Sequence, residues 1–399
     1  MANEFSLKGI LKKEDGGKTG RKSYVKRTYY DYTLLFLILF LIGFGLVMIY
    51  SISAYNATKY YDDATLFVRN QAKYALLGLV AMILLSKINY HIYGLRIKLG
   101  KLNFPLLFIP YGICIFLQFF VLIKGDGTNG SNRWIPIGSM KLQPSEISKV
   151  LLVLFVSYIV YVSPKALDRL GGFLRVFLFS CPLLILVALE NLTTAIIMVG
   201  IAFIIPFVTS RKIWYYWAAG AVMVGAVVLT IVTKSYRLTR FQVWLDIENA
   251  PGGYQIRQGL YALGSGGLFG KGLGNSIQKL GYIPEVHTDM IFTCIVEELG
   301  IVGGLLLLGV FCVLLARIFR IACNAPDLFG SLIAVGVFVQ IALQIFLNIA
   351  VVTNTIPSTG VPFPFISYGG SSLLFLMLEL GLVLNVSSQI EYDAPSPQL

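Results

Sequence analysis

The sequence predicts an all-α integral membrane protein, a bundle of about ten transmembrane helices with a long extracytoplasmic loop before the eighth helix. Of its 399 residues, 56% are hydrophobic and only 13% are charged, whereas about a quarter of the residues in soluble domains are charged. Apolar runs of roughly 20 residues, the length that crosses a bilayer, recur along nearly the whole chain. The runs are 33–52, 71–89, 103–123, 145–163, 172–189, 192–209, 213–233, 289–316, 329–352 and 367–387. Because backbone groups in lipid must hydrogen-bond within their own segment, we expect each run to be a helix.

Lysine and arginine mark one side of the predicted bundle. The first 31 residues form a strongly basic tail, and the short loops that should lie on the same side carry further positive charge. These loop residues are Arg96, Lys98, Lys101, Lys165, Arg169, Arg211, Lys212, Arg317 and Arg320. Since positively charged loops stay in the cytoplasm, we expect cytoplasmic tails at 1–31 and 389–399. The membrane domain should then span 32–388, with the loop 234–288 on the outer side.

The net charge of +12 is concentrated in the basic tail and the inner loops. We attribute it to attraction by anionic lipid headgroups, and we expect no nucleic-acid partner. The first apolar run is too long for the core of a signal peptide and should remain as a helix. The five cysteines lie in or beside apolar runs without a CxxC spacing. This placement favours packing in the core over a disulfide or a metal site.

Three predicted outer segments, 124–149, 234–289 and 353–372, hold most of the polar residues between the apolar runs. Apolar residues at helical spacing over 237–249 predict a helix that lies in the membrane interface. Residues 252–281 are dense in glycine, which is typical of a flexible connector but also allows close backbone approach to a pyrophosphate. A nucleotide P-loop is excluded, because Ser265 stands in place of its first glycine and Gly272 in place of its Ser or Thr.

Charged residues beside the apolar runs are the strongest candidates for a site, because a charge costs about 2.5–3.5 kcal/mol at the centre of a membrane helix. Arg133 lies in the first outer segment. Pro144 is well placed to open the helix that follows, and Glu146 and Lys149, three residues apart, share one face of that helix. They could be a structural ion pair at a helix start or polar groups that line a cavity.

Asp289 precedes an apolar run at the predicted outer boundary. It could cap the helix, or it could be a general base in a partly desolvated cleft that raises its pKa. His287 lies two residues earlier, and a single histidine there does not indicate a zinc site. Glu297 and Glu298 are adjacent within the same run, so at least one of them must face the interior of the bundle.

The third outer segment includes residues 354–372, which read NTIPSTGVPFPFISYGGSS. Ser367 lies in this stretch. Its proline and glycine content predicts irregular backbone, and at membrane depth such backbone must line protein or a watery cavity. Glu379 follows inside the last apolar run. A proton relay, a cation ligand or a satisfied hydrogen-bond partner are all consistent with its position.

The chain resembles the SEDS family (shape, elongation, division and sporulation), which includes FtsW and RodA, over about residues 30–390. The matching stretches are NRWIPIGSMKLQPSEISK, GYQIRQGLYALGSGGLFGKGLGNSIQKLGYIPEVHTDMIF, EELG and PSTGVPFPFISYGGSS. Within the second stretch, GYIPEVHTDMIF is preceded by the run Gly-Asn-Ser-Ile-Gln-Lys-Leu. This run favours the division and sporulation branch over the elongation branch. The resemblance implies a peptidoglycan glycosyltransferase that polymerises lipid II, the undecaprenyl-diphosphate-linked disaccharide peptide.

The same resemblance implies a place of action and partners. The enzyme would act on the outer face of the bacterial cytoplasmic membrane, enriched at the division septum. It would work with a class B penicillin-binding protein and other divisome membrane proteins. A lipid II flippase and a non-enzymatic divisome scaffold are the alternatives that the sequence leaves open.

By motif, Asp289 corresponds to the catalytic aspartate of the family, and Glu146 and Lys149 correspond to the polar pair that lines its cavity. We add Arg133, His287, Glu298 and Ser367 as further cavity-lining candidates. No cofactor is expected with certainty, although a divalent cation, Mg²⁺ or Mn²⁺, could share the stabilisation of the leaving diphosphate. The stretch 190–194 reads Glu-Asn-Leu-Thr-Thr where many members have Pro-Asp-Leu-Gly-Thr. We therefore assign that loop no role.

Overall fold

The computed structural model describes residues 24–395 apart from 100–101, 129–130, 138–139, 213, 234 and 251. Within these residues the protein is a bundle of long helices. Ten helices correspond to the ten predicted runs: α1 Tyr32–Tyr61, α2 Leu66–Lys87, α3 Phe108–Lys124, α4 Pro144–Val162, α5 Leu170–Glu190, α6 Leu192–Thr209, α7 Trp214–Thr233, α10 Ile291–Asn324, α11 Leu328–Val352 and α12 Gly370–Ser388. Eight of them meet the length and hydropathy of a membrane span among the described residues, and α3 is a shorter apolar helix.

Two helices occupy part of the long outer loop. Helix α8, Ser235–Leu245, confirms the short helix predicted over 237–249, with a start two residues earlier and an earlier end. Helix α9, Tyr254–Ser265, lies within the glycine-dense stretch 252–281. The interpretation of that stretch as a flexible connector is therefore wrong for its first half, where Ile256, Gly259 and Ala262 are buried at helical spacing.

The remaining elements are short and lie outside the helices. Two 3₁₀ helices span Tyr90–Gly94 and Pro164–Asp168. The strands are β1 Tyr24–Tyr29, β2 Arg96–Leu99, β3 Leu102–Pro105, β4 Asp126–Thr128, β5 Ser131–Ile137, β6 Met140–Leu142 and β7 Ile390–Pro395. They pair antiparallel as β1 with β7, β2 with β3, and β4–β5–β6. The third sheet directly precedes α4.

Helices α4, α11 and α12 form the centre of the bundle. In the most apolar 18-residue stretch of each of these helices, 67%, 61% and 72% of the residues are buried. The corresponding values are 22% in α2 and 28% in α5. Close approach of α12 to its neighbour α2 depends on a small residue, because a Cβ added at Gly78 would lie 2.5 Å from the Met377 sulfur. The outer helices present many apolar side chains to lipid, whereas the three central helices carry buried polar groups such as Lys149, Gln340 and Glu379.

The cysteines divide between these two environments. Cys114 and Cys294 are buried, whereas Cys181, Cys312 and Cys323 are exposed on helices α5 and α10. The prediction of core packing is wrong for these three, because an apolar helix in lipid can place a cysteine on its outer face. All five are free thiols.

The two chain ends lie together on one side of the bundle. Strand β1 pairs with β7 from Tyr24 opposite Pro395 to Tyr29 opposite Ile390. The predicted tails 1–31 and 389–399 therefore meet in a small sheet, although residues 1–23 and 396–399 lie outside the described residues. Arg317, one of the predicted inner-loop cations, forms an ion pair with Asp31 at 2.7 Å on that side. The grouping of positive loops with both termini agrees with this arrangement.

Helix α10 is interrupted at Gly300, where φ is 76° and ψ is 178°. The turn formed by residues 267–272 packs against the interruption. The amides of Lys271 and Gly272 donate to the carbonyls of Glu297 and Glu298 at 3.0 and 2.9 Å. The turn thus supplies hydrogen bonds that the broken helix has lost.

Two ion pairs to buried glutamates hold the outer loop beside this interruption. Glu297 accepts from Lys271 at 2.7 Å, and Glu298 accepts from Lys279 at 2.8 Å. Glu298 also accepts from the Ser51 hydroxyl of α1 at 2.6 Å. Both glutamates have no exposed surface, and both have hydrogen-bond donors. They fasten the outer loop to the start of α10, the helix that follows Asp289.

Candidate active site

A cavity of about 690 Å³ opens among α4, α6, α8, α9, the loop before α10 and the loop 353–369. Charged groups of both signs line it: Arg133, Glu146, Lys149, Arg240, Glu285 and Asp289. Uncharged polar groups complete the wall: Gln143, Asn191, Thr194, Gln255, Thr288, Gln344, Ser371 and Ser372. A concave site with convergent polar groups of this kind can bind and orient a polar substrate.

Asp289 lies on the wall of this cavity and does not cap α10. The helix begins at Ile291, its N-cap is Met290, and no side chain makes a capping hydrogen bond there. The half-buried carboxylate instead accepts from the hydroxyl of Thr288 at 3.3 Å. The capping interpretation is therefore wrong, because the helix starts two residues later than the apolar run.

The surroundings of Asp289 favour its protonated form more than water does. Burial raises the pKa of the Asp289 carboxyl, and the nearby charge of Glu285 acts in the same direction. Hydrogen bonds from its own backbone and from Thr288, together with the positive charge of Arg240, lower the pKa. A carboxylate with a raised pKa is a stronger base once it is ionised, as a general base requires.

Glu146 and Lys149 lie in the first two turns of α4, which Pro144 opens at its first position. Their side chains form an ion pair at 2.8 Å and are almost completely buried. Both also line the cavity. The two interpretations of this pair are therefore compatible, since an ion pair at the helix start also presents its charges to the site.

Arg133 enters the cavity from strand β5. Its Nε donates to the carbonyl of Glu190, the last residue of α5, at 3.1 Å. A carbonyl at a helix C-terminus carries partial negative charge that suits a guanidinium. Arg133 thereby joins the small sheet β4–β5–β6 to the end of α5 while remaining on the cavity wall.

Three predicted cavity residues lie elsewhere. Glu298 is held in the buried pair with Lys279, on the side of α10 that faces α1 and the outer loop. The Ser367 hydroxyl accepts from the backbone amide of Phe363 at 2.7 Å and stabilises the turn of its own loop. Neither side chain is among those that line the cavity, because Glu298 points to the outer loop and Ser367 points into its own loop.

His287 is the third such residue, and it lies behind the cavity wall. Its ring packs against Phe67 and Tyr368 at centroid distances of 4.4 and 5.5 Å. Burial lowers the pKa of His287 to about 4. The imidazole is consequently neutral near pH 7 and packs as an aromatic support for Tyr368, which does line the cavity.

Several lining residues were missed by sequence reasoning. Asn191 and Thr194 lie on the wall, within the stretch 190–194 that departs from the family pattern. Asn191 caps α6, accepting from the amides of Thr193 and Thr194 at 3.1 and 3.3 Å. An asparagine directly before an apolar helix is a recognisable cap signal. Arg240, Gln255 and Gln344 carried no such signal, because helix packing alone brings them to the cavity.

Glu379 accepts a hydrogen bond from Gln340 inside the bundle, which agrees with the hydrogen-bond-partner interpretation. No group of three or more His, Cys, Asp or Glu side chains among the described residues could hold a metal ion. At the cavity, Glu146 is already paired with Lys149. Glu285 and Asp289 also line the cavity, but no donor cluster among the described residues identifies a divalent-cation site, and we assign no ligands to one.

Comparisons with known proteins agree on one family. The family model FTSW_RODA_SPOVE, described as cell cycle protein, matches residues 32–392. Stage V sporulation protein E of Bacillus subtilis (strain 168) is 39% identical over 373 residues, covering 92% of this chain and 99% of that protein. A probable peptidoglycan glycosyltransferase FtsW of Trichlorobacter lovleyi is 36% identical over 371 residues, covering 91% and 94%.

Solved structures share the fold. A chain from a structure on the coordination of polymerization and crosslinking by a peptidoglycan synthase complex superposes with a TM-score of 0.73 at 27% identity, covering 90% of this chain and 98% of that chain. The crystal structure of the rod shape determining protein RodA of Thermus thermophilus gives a TM-score of 0.65 at 26% identity, covering 90% and 97%.

Proposed function

Since the chain belongs to the FtsW, RodA and SpoVE family of cell cycle proteins, we propose that it is a peptidoglycan glycosyltransferase that polymerises lipid II, with Asp289 as its general base. The observation that carries the assignment of Asp289 is its position. The carboxylate lies on the wall of the polar cavity and makes no capping bond to α10. It is therefore available for chemistry.

The proposed reaction needs a base and electrostatic stabilisation. The 4-hydroxyl of the acceptor sugar attacks the anomeric carbon of the donor sugar, and the bond from that carbon to the lipid diphosphate breaks. The hydroxyl proton passes to Asp289, and the diphosphate leaves with the bonding electron pair. The energy of the step comes from the sugar diphosphate itself, so the reaction requires no nucleotide.

Three positively charged side chains on the cavity wall could bind the negatively charged diphosphate: Arg133, Lys149 and Arg240. Preorganised positive groups stabilise charge that develops in a transition state more effectively than water does. Lys149 is held in place by Glu146 at 2.8 Å. Arg240 donates to the carbonyl of Ser358 at 3.2 Å. We assign leaving-group stabilisation to Lys149 and Arg133.

We place the cavity on the outer face of the cytoplasmic membrane, with both termini in the cytoplasm. The pairing of β1 with β7 supports a common side for the two ends, and the positive loops support the cytoplasm as that side. A class B penicillin-binding protein and other divisome membrane proteins are the proposed partners, at the division septum. The names of the FtsW and sporulation relatives support this branch of the family.

The decisive experiment incubates the purified full-length protein, in lipid vesicles, with lipid II. We expect glycan polymer, in greater yield when the partner transpeptidase is present. Transfer of lipid II across the vesicle membrane without polymer would instead support a flippase. Neither polymer nor transfer, with intact binding of divisome proteins, would support a scaffold.

A further inference from the structure

We propose that Asn348 is a positioning residue that holds Asp289 in place on the cavity wall. Asn348 lies on α11 and is 1% exposed. Its Nδ2 donates to the backbone carbonyl of Asp289 at 2.9 Å and to that of Val361 at 2.7 Å. One amide group therefore joins the segment that carries Asp289 to the loop 353–369. The inference rests on the proposed role of Asp289.

The two acceptors determine how the amide of Asn348 is oriented. An amide nitrogen carries two hydrogens, whereas the amide oxygen can only accept. With the amide turned over, its oxygen would face two carbonyl oxygens and both hydrogen bonds would be lost. Among the described residues, Oδ1 of Asn348 has no donor. The polar contacts found for this side chain are thus the two made by Nδ2.

Asp289 lies in irregular backbone, where such a tether has the most effect. Residues 281–290 belong to no helix or strand, so their carbonyls have no regular partners. The amide of Tyr368 donates to the carbonyl of His287 at 2.8 Å. Asn348 donates a second hydrogen bond to this irregular segment, at the carbonyl of Asp289. Together they hold both ends of the tripeptide His287 to Asp289.

The loop that Asn348 binds faces the carboxylate directly. A Cβ added at Gly360 would lie 3.6 Å from Oδ2 of Asp289, so the backbone next to Val361 packs beside the functional group. By binding the carbonyls of Asp289 and Val361 with one nitrogen, Asn348 sets the distance between the two segments. A displacement of about 1 Å in a catalytic group can cost on the order of 10²-fold in rate.

The test compares Asn348→Leu and Asn348→Asp with wild type, using the full-length protein and lipid II. Leu has nearly the same volume and no donor, and Asp has the same shape but can donate at most one hydrogen bond, when it is protonated. We expect kcat per folded protein to fall roughly 10- to 100-fold, with KM for lipid II within about threefold. For Asn348→Leu, which adds no charge, we also expect the acid limb of the pH profile to move to lower pH, because a loosened carboxylate is better solvated.

Asn385→Leu is the matched control. Asn385 is also buried, at 2% exposed, and its Nδ2 donates to the carbonyl of Ser86 at 2.7 Å, away from the cavity. This variant should lower thermal stability while leaving kcat per folded protein and the pH profile unchanged. Dividing kcat by the folded fraction separates a loss of catalysis from a loss of folded protein. If Asn348→Leu does not fold, kcat is measured on Asn348→Asp.

Two results would overturn the proposal. One is a normal kcat in the folded Asn348 variants, together with an unmoved acid limb in Asn348→Leu. The other is a loss of activity that follows only the loss of folded protein, as in the control. If wild type forms no polymer, the proposed activity fails; if Asp289→Asn forms polymer at a near wild-type rate, the general-base role of Asp289 fails. If Asp289→Asn is inactive while the Asn348 variants are normal, only the positioning role fails.

Discussion

The ammonium of Lys149 lies 2.8 Å from the carboxylate of Glu146, one turn earlier on α4. Both side chains are almost completely buried, and both line the cavity that contains Asp289. The pair is therefore a structural element and part of the site at once. Mutation of either partner alone changes two properties, and only a double variant separates them.

Lys149→Ala should lower both stability and polymerisation. Removing one member of a buried ion pair leaves the other charge without compensation, at a cost of about 3–5 kcal/mol. Combining Glu146→Gln with Lys149→Met should restore thermal stability, because neither side chain then carries a charge. If Lys149 stabilises the diphosphate, this stable double variant stays inactive. Recovery of polymerisation in the double variant would show that Lys149 acts only through Glu146.

Asp289→Asn should abolish catalysis in a folded protein. Loss of a general base costs roughly 10²–10⁴-fold in rate. Burial raises the pKa of Asp289, so the charged carboxylate is less stable in the folded protein than in water, and the neutral amide should not reduce the melting temperature. The matched control is Asp246→Asn, at an exposed residue whose side chain bonds only to Asn249 among the contacts described. Near-normal polymerisation by Asp289→Asn would contradict the assignment.

Polymerisation should fall as the pH is lowered through the pKa of Asp289, because only the ionised carboxylate accepts a proton. Since burial raises that pKa, the midpoint should lie above the ordinary value of about 3.9. The charge of Arg240 opposes the rise, so Arg240→Gln should move the midpoint to higher pH. The measurement is kcat against pH at saturating lipid II. Arg257→Gln, whose guanidinium donates to the Glu248 carbonyl, should leave the midpoint where it is; equal midpoints in both variants would contradict the prediction.

Gly300→Ala should destabilise the protein through the break in α10. A Cβ there would overlap the carbonyl of Leu268 and lie 2.5 Å from the amide nitrogen of Gly270. The backbone, with φ at 76° and ψ at 178°, is in a region that only glycine occupies readily, at a cost of about 1–3 kcal/mol for other residues. Gly309→Ala on the same helix, with no atom within 4 Å of the added Cβ, should be neutral or stabilising. Equal melting temperatures for the two variants would refute this account.

The membrane orientation predicts opposite signals from two reporter fusions. A reporter after Leu399 should be active in the cytoplasm, because β7 pairs with β1 beside the positive loops. A reporter inserted at Asn249, in the exposed turn between α8 and α9, should be active on the outer side. Reversed signals would place the cavity on the cytoplasmic face, where it could not polymerise lipid II outside the cell.

The sequence by itself determined the class of the protein and the number of its long helices. In lipid each backbone hydrogen bond must close within its own helix, so apolar length and composition are sufficient to locate spans such as Leu328–Val352. Local signals also identified Pro144 as a helix start and Asp289 as a residue at a boundary. Such features depend on neighbours within a few positions along the chain.

Only the tertiary structure decided which polar residues meet. Asn348 and Asp289 are 59 positions apart and are joined by one hydrogen bond, and no local pattern in either segment predicts it. Glu297 and Glu298 look equally available in the sequence, yet Lys271 and Lys279 of the outer loop bind both of them away from the cavity. The role of Asp289 likewise depended on where α10 begins. Hydropathy and helical periodicity describe one segment at a time, whereas a cavity wall depends on how several segments pack together.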